Sequence, residues 1–169
     1  MDQILNPPKE VDGKTPGEGS DAQARDNETL RLWLRLFATA NAVEAELSRR
    51  LRAEFSMTLP RFDLMAQLAK SEEDLTLGTL SRRLMVTNGN ITGLVDRLVD
   101  DGLVQRRVRR ADRRSATVRL TEEGRARFDE MAVAHRAWIN ELFGGLDASE
   151  QAALARLLKC ARDTVIERL

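Results

Sequence analysis

The chain has 169 residues, with 27 lysines and arginines balancing 27 aspartates and glutamates, which fits one domain, or one domain with an extension, and is long enough to bury a core. One cysteine, Cys160, excludes an intrachain disulfide framework, and with a single histidine, His135, it makes no metal cluster, so no metal and no cofactor are expected. No run of about 18 apolar residues and no basic-then-apolar leader is present, so a soluble, cytoplasmic chain without membrane contact is expected.

Residues 1–27 hold Pro7, Pro8 and Pro16, three glycines and little apolar content, and read as a disordered arm. From Glu28 the pattern turns helical. Leu32, Leu36, Ala40, Val43, Leu47 and Leu51 recur at steps of three and four, and Leu30, Trp33, Leu34 and Phe37 widen that face. A helix apolar over so wide an arc is covered by more than one neighbour. Thr58 before Leu59-Pro60 is a start signal, threonine as cap and proline in the first turn. The helix runs to about Lys70 with Phe62, Met65, Leu68 and Ala69 inward.

Thr76 opens a short helix carrying Leu77, Leu80 and Leu84, broken at Met85-Val86. Thr87 caps a longer one with Ile91, Leu94, Val95, Leu98 and Val99 inward, and Gly102 stops it where a left-handed terminus is needed. Two helices joined by so short a turn form a helix-turn-helix. "LVQRRVR" and "RSATVRL" flank "RADR" and suggest a hairpin with a projecting arginine-rich tip. Thr121 caps a long helix with Glu122 and Glu123 favourably placed in its first turn and Phe128, Met131, Ala132, His135, Trp138, Ile139 and Leu142 along one face. Gly144-Gly145 ends it. Asp147 and Glu150 cap a last helix striped with Leu154, Leu157, Leu158, Ala161 and Val165. The order reads as a winged helix between helical arms.

Overall neutrality hides a segregation. Residues 76–121 hold ten arginines and four aspartates, a net of +6, so the remainder sums to −6. A local basic surface attracts a polyanion even at zero global charge. The stretch "VRRADRRSATVRLT", residues 108–121, concentrates five arginines around Asp112. On the helix from Thr87, Gly89, Asn90, Gly93 and Arg97 point away from the apolar side. Two exposed glycines cost about 1 kcal/mol each relative to alanine. Either they let the backbone approach a groove wall, with Asn88, Asn90 and Thr92 reaching base edges, or they relieve packing elsewhere. Asparagine suits adenine N6/N7 in the major groove. Arginine suits the narrow, electronegative minor groove. Asp112 either holds the Arg114 guanidinium for that purpose or only stabilises the turn. Arg106, Arg107, Arg109, Arg110 and Arg113 are expected to mix phosphate contacts with solvated bystanders.

Asp112, Arg114, Val118, Leu120 and Thr121 match the wing signature Asp-x-Arg-x-x-x-Val-x-Leu-Thr, and "LSRRLMVTNGNITGLVDRLVDDGLVQRR" resembles the recognition unit of the MarR transcriptional regulators. The resemblance covers residues 28–169. It implies a mainly α fold with a small β-hairpin: a winged helix-turn-helix lobe over 58–121, between a dimerisation helix at 28–57 and C-terminal dimerisation helices at 122–169. It implies a homodimer on a pseudo-palindromic DNA operator, with Arg114 in the minor groove. The DNA-contacting set expected is Thr87, Asn88, Asn90, Thr92, Arg97, Arg107, Arg109, Arg110, Asp112, Arg113 and Arg114. One departure is Arg61, where many members carry glutamine.

The resemblance also implies a small-molecule effector bound where the dimer helices meet the lobe. Trp33, Phe37, Asn41, Phe62, Met65 and His135 are candidate lining residues, and each also reads as ordinary core. The family's redox branch carries a reactive cysteine near the start of the first long helix. Here Cys160 sits beside an apolar stripe instead and reads as a buried structural residue. "LPRFDLMAQL" with "RRLMVTNGNITGL" resembles a branch that includes repressors of aromatic-acid catabolism, which points to an aromatic acid or its CoA thioester as effector. An enzyme is not expected: there is no nucleophile elbow and no glycine-rich phosphate loop. A helical dimeric protein-interaction module explains the helices but leaves the arginine hairpin without a purpose.

Overall fold

A computed structural model describes residues 18–108 and 116–168, with side chains for 27–107 and 116–168. The elements are α1 (Glu18–Phe55), α2 (Leu59–Ala69), β1 (Leu75–Thr76), α3 (Leu77–Leu84), α4 (Asn88–Asp100), β2 (Val104–Val108), β3 (Ala116–Leu120), α5 (Glu122–Leu142) and α6 (Ala148–Ile166). The chain divides into two compact units, Met1–Ala42 and Val43–Leu169.

The first helix begins at Glu18, ten residues before the expected start at Glu28. Ala22, Gln23, Ala24 and Arg25 are good helix formers, and no glycine or proline interrupts the run from Ser20 to Leu59. Polar composition suggested an arm, but helix propensity does not require apolar residues. Residues 1–17 of that arm lie outside the described residues. In the first unit, Leu30, Leu32, Trp33, Leu34, Leu36 and Phe37 are all exposed.

The core of the second unit is built where the periodicity places it. Leu51, Leu64, Met65, Leu80, Ile91, Val95, Leu98, Val118 and Met131 are fully buried. Each such side chain contributes on the order of 1.5–3 kcal/mol by leaving water. α2 packs on α3, α4, α5 and β3 together, so its buried arc takes in Leu64 as well as Phe62, Met65 and Leu68. Val99, expected inward, is 37% exposed because α4 ends its buried run at Leu98. Arg50 ties α1 to α5 through Glu141 at 2.6 Å and also grips Glu46. The Arg49 and Arg50 guanidiniums together hold the Glu46 carboxyl down to about 2.

Most caps form as the sequence demands. The hydroxyls of Thr76 and Thr121 accept from the Thr79 and Gly124 amides at 3.1 and 2.9 Å. Asp147 and Glu150 close both halves of a capping box. Gly102 takes φ +74°. Thr58 is the exception: its side chain makes no capping bond, and α2 starts instead on Pro60 and on the Thr58 carbonyl, which accepts from Phe62 at 3.0 Å.

The sheet has three strands, not the two of the expected hairpin, in the antiparallel order β1-β3-β2. β1 is two residues long, with Leu75 opposite Val118. So short a strand carries no alternation for a sequence pattern to reveal. α5 then enters close to the chain leaving α4: a Cβ on Gly124 would lie 1.8 Å from the Leu103 carbonyl oxygen, so only glycine fits there.

α6 buries none of its residues, and Cys160, expected to be buried, is exposed. Leu154 and Leu158 of the stripe beside it border a shallow cleft with Ile139 and Phe143 at the end of α5, but Leu154, Leu157, Leu158 and Val165 all stay exposed. Among the described residues, no helix is long and apolar enough to cross a membrane.

Candidate nucleic-acid interface

α3 and α4 form the helix-turn-helix. The turn between them is closed by two bonds: the Val86 amide donates to the Ser81 carbonyl at 3.2 Å, and the Ser81 hydroxyl donates to the Val86 carbonyl at 2.6 Å. α4 then anchors itself through Ile91, Val95 and Leu98. With 3.6 residues per turn, that anchoring turns the opposite face outward. Thr87, Asn88, Gly89, Asn90, Thr92, Gly93 and Arg97 are all exposed. Thr87 spends its hydroxyl as the helix cap, accepting from the Asn90 amide at 3.4 Å. Thr92 donates its hydroxyl to the Asn88 carbonyl at 3.0 Å.

The two glycines separate the alternatives left open by the sequence. A Cβ added at Gly89 or Gly93 would meet nothing within 4 Å. Among the described residues, neither glycine therefore relieves packing, and the helix carries their propensity cost without an internal return.

The cations divide into tied and outward groups. Arg106, on β2, is paired with Asp96 of α4 at 2.7 Å, which locks the base of the hairpin to the helix. Arg107, on the same strand, is exposed. β2 and β3 pair as far as Val108 opposite Ala116, which confirms the hairpin. Arg109, Arg110, Asp112, Arg113 and Arg114 lie outside the described residues.

Arg61, the departure noted in the sequence, has a structural partner. Its guanidinium pairs with Asp101, the C-cap of α4, and so ties α2 to the end of the exposed helix. Burial, and then the nearby Arg97, push the Arg61 guanidinium below its ordinary value, and its Nε is buried without a hydrogen-bond partner. Sequence reasoning missed this link because the two residues are 40 positions apart and carry no periodic signature.

The candidate effector residues fall into two groups, one in each unit. Trp33, Phe37 and Asn41 are exposed in the first, with the Trp33 and Phe37 rings 5.5 Å apart. In the second, Phe62 stacks on His135 at 4.8 Å and on Phe128 at 5.6 Å, and Met65 is fully buried. Burial pushes His135 below its ordinary value, which keeps it neutral at pH 7. On the same helix as Phe62, Asp63 is pushed up by burial and by Glu44. A separate cleft of 770 Å³ lies between residues 71–74, β3 and α5. Its charged lining is Glu72, Glu73, Asp74, Glu122 and Asp129 together with Arg119 and Arg125, so carboxylates outnumber guanidiniums there. Among the described residues, no group of three or more histidines, cysteines or carboxylates is placed to hold a metal.

A polar, side-chain-poor helix face beside an arginine hairpin suits the grooves of duplex DNA, and the small sheet makes the unit a winged helix. Known proteins agree with this class. Residues 55–115 match the MarR family. The crystal structure of a MarR family transcriptional regulator from Silicibacter pomeroyi is 33% identical, with a TM-score of 0.71 over 83% of this chain and 97% of that one. The transcriptional activatory protein BadR of Rhodopseudomonas palustris is 30% identical over 132 residues, 76% of this chain and 75% of BadR. Sco3205, a MarR family regulator from Streptomyces coelicolor solved in complex with DNA, shares the fold at 24% identity, with a TM-score of 0.74 over 82% and 88% of the two chains. The chain belongs to the MarR family. It is a DNA-binding transcriptional regulator and not an enzyme.

Proposed function

We propose that this regulator is a ligand-responsive repressor that binds a pseudo-palindromic operator as a homodimer and is released by a small aromatic acid or its CoA thioester. The observation that carries the DNA-reading part is the α4 face, where Gly89 and Gly93 face open space and Thr87, Asn88, Asn90, Thr92 and Arg97 are exposed. In this reading Thr87 sets the start of α4, and Asn88, Asn90 and Thr92 meet base edges. Arg97, Arg107, Arg109, Arg110 and Arg113 meet phosphates, and Asp112 orients Arg114 in the minor groove. Residues 58–121 are the reading lobe, and 28–57 with 122–169 are the dimerisation arms. Leu154, Leu157, Leu158, Val165 and Ile166 of α6 are exposed and are well suited to a second copy. A reader of chromosomal operators works in the cytoplasm.

The effector reading rests on the aromatic ring stack of Phe62 and His135 in the second unit, with Met65 buried on the same helix as Phe62; Trp33, Phe37 and Asn41, exposed in the first unit, are the remaining candidates. An effector acts by favouring a spacing of the two α4 helices that no longer fits adjacent major grooves. Duplexes selected from a random pool test the whole reading. If about six to ten phosphates are neutralised, affinity drops by about 10³–10⁵ between roughly 50 and 200 mM salt. A flat salt response overturns it. Aromatic acids and their CoA esters are then screened for release of the selected duplex, and failure of every one removes the effector class.

A further inference from the structure

Met85 joins two unfavourable choices in one residue. It is 92% exposed, the most exposed large apolar side chain among the described residues. Its backbone is left-handed, with φ 52° and ψ 38°, a conformation that glycine adopts with less strain. The fold does not use the side chain to compensate. The turn is held by the Met85 amide donating to the Arg82 carbonyl at 3.4 Å and by the two Ser81–Val86 bonds, all made by the backbone or by Ser81. Those bonds fix where the Met85 side chain leaves the surface.

Its surroundings identify what it meets. Arg82 and Arg83 precede it, Thr87 and Asn88 follow it, and all four are exposed. This is the entry to the α4 reading face, where cations and groove-facing polar groups meet a polyanion. The major groove offers one prominent apolar feature to a side chain arriving there, the C5 methyl of thymine. Methionine, unbranched and polarizable, adapts its path to such a target. We propose that Met85 is a specificity-determining residue whose side chain packs on a thymine methyl at the rim of the site read by α4. The proposal rests on the DNA-binding role of that helix.

The experiment uses the full chain and a duplex selected by it from a random pool, with each thymine replaced in turn by deoxyuridine, which removes only the methyl. The unsubstituted protein is expected to lose about fourfold in affinity at one thymine per half-site, the value of about one buried methyl group. Met85→Gly is expected to bind the thymine and uracil duplexes equally at that position. It is also expected to melt at the same or a higher temperature, because glycine takes this φ without strain. Met85→Leu keeps the discrimination. Met85→Ala, which retains a Cβ in the same conformation, gives the same readout as glycine should the glycine variant loosen the turn. If Met85→Gly and Met85→Ala keep the full uracil response, the proposal is overturned; a Met85 that serves a protein partner gives that same result. Unsubstituted protein that binds no duplex at all removes the α4 reading itself, and this proposal with it. Salt-dependent binding unaffected by either variant removes the proposal alone.

Discussion

Helices α4 and α6 both turn a full face to solvent, and the two faces have opposite chemistry. The α4 face is asparagine, glycine, threonine and arginine. The α6 face is Leu154, Leu157, Leu158, Val165 and Ile166, between 36% and 62% exposed. Covering the α6 face removes apolar area from water at about 25 cal/mol per Å². Covering the α4 face yields no such gain, so its partner must supply charge and hydrogen-bonding edges. Exposure alone therefore marks a surface as unfinished. The chemistry of the exposed atoms decides whether another chain or a nucleic acid finishes it.

Breaking the apolar face gives the largest expected effect. Leu157→Asp combined with Leu158→Asp is expected to yield monomers by light scattering. It should also lower operator affinity by about 10²–10⁴, the avidity of two linked half-site contacts. A dimer that survives both charges would place the interface elsewhere.

The next effect belongs to the reading side. Arg114→Ala is expected to weaken operator binding by about 1–3 kcal/mol with the dimer intact, measured by duplex titration and light scattering together. Unchanged affinity would take the wing out of the interface.

A pair of glycine substitutions sharpens the contrast within the lobe. Gly93→Ala is expected to raise stability by up to about 1 kcal/mol while weakening duplex binding, because the new methyl has room in the free protein and none against a groove wall. Gly124→Ala is expected to do the reverse to stability, lowering it by about 1–3 kcal/mol or more, because its Cβ collides with the Leu103 carbonyl. Thermal melts alongside binding isotherms check both. A Gly93→Ala variant that binds as tightly as the parent argues against close backbone approach.

The smallest effect concerns pH. Burial holds His135 below its ordinary 6.5, so the unfolded chain takes up a proton near that pH while the folded chain does not. Stability contributed by the neutral ring is present above pH 6.5 and falls as pH drops below it. His135→Phe keeps an aromatic ring against Phe62 and should flatten that slope. Melting temperatures read on both sides of pH 6.5 decide it, and an unchanged slope assigns the titration to another group.

Much of the molecule was legible from residue order because it depends on local rules. The hydroxyls of Thr76, Thr87 and Thr121, the Asp147–Glu150 box and Gly102 act within a few residues of themselves, and each cap formed as its position demands. The outward face of α4 followed from the inward spacing of Ile91, Val95 and Leu98. Thr58 failed as a cap because proline and backbone bonds were enough to start α2.

The helix-turn-helix, the hairpin, the basic segment and the family are readable from residue order alone, since each is written in short-range spacing or in a contiguous motif. Packing in three dimensions is what makes Arg61 hold the end of α4 through Asp101, β1 complete the sheet at Val118, and close approach require Gly124 but not Gly89 or Gly93. Those outcomes depend on which distant backbones meet. A contact between residues 40 positions apart is set by the packing of whole helices, and no local period encodes it.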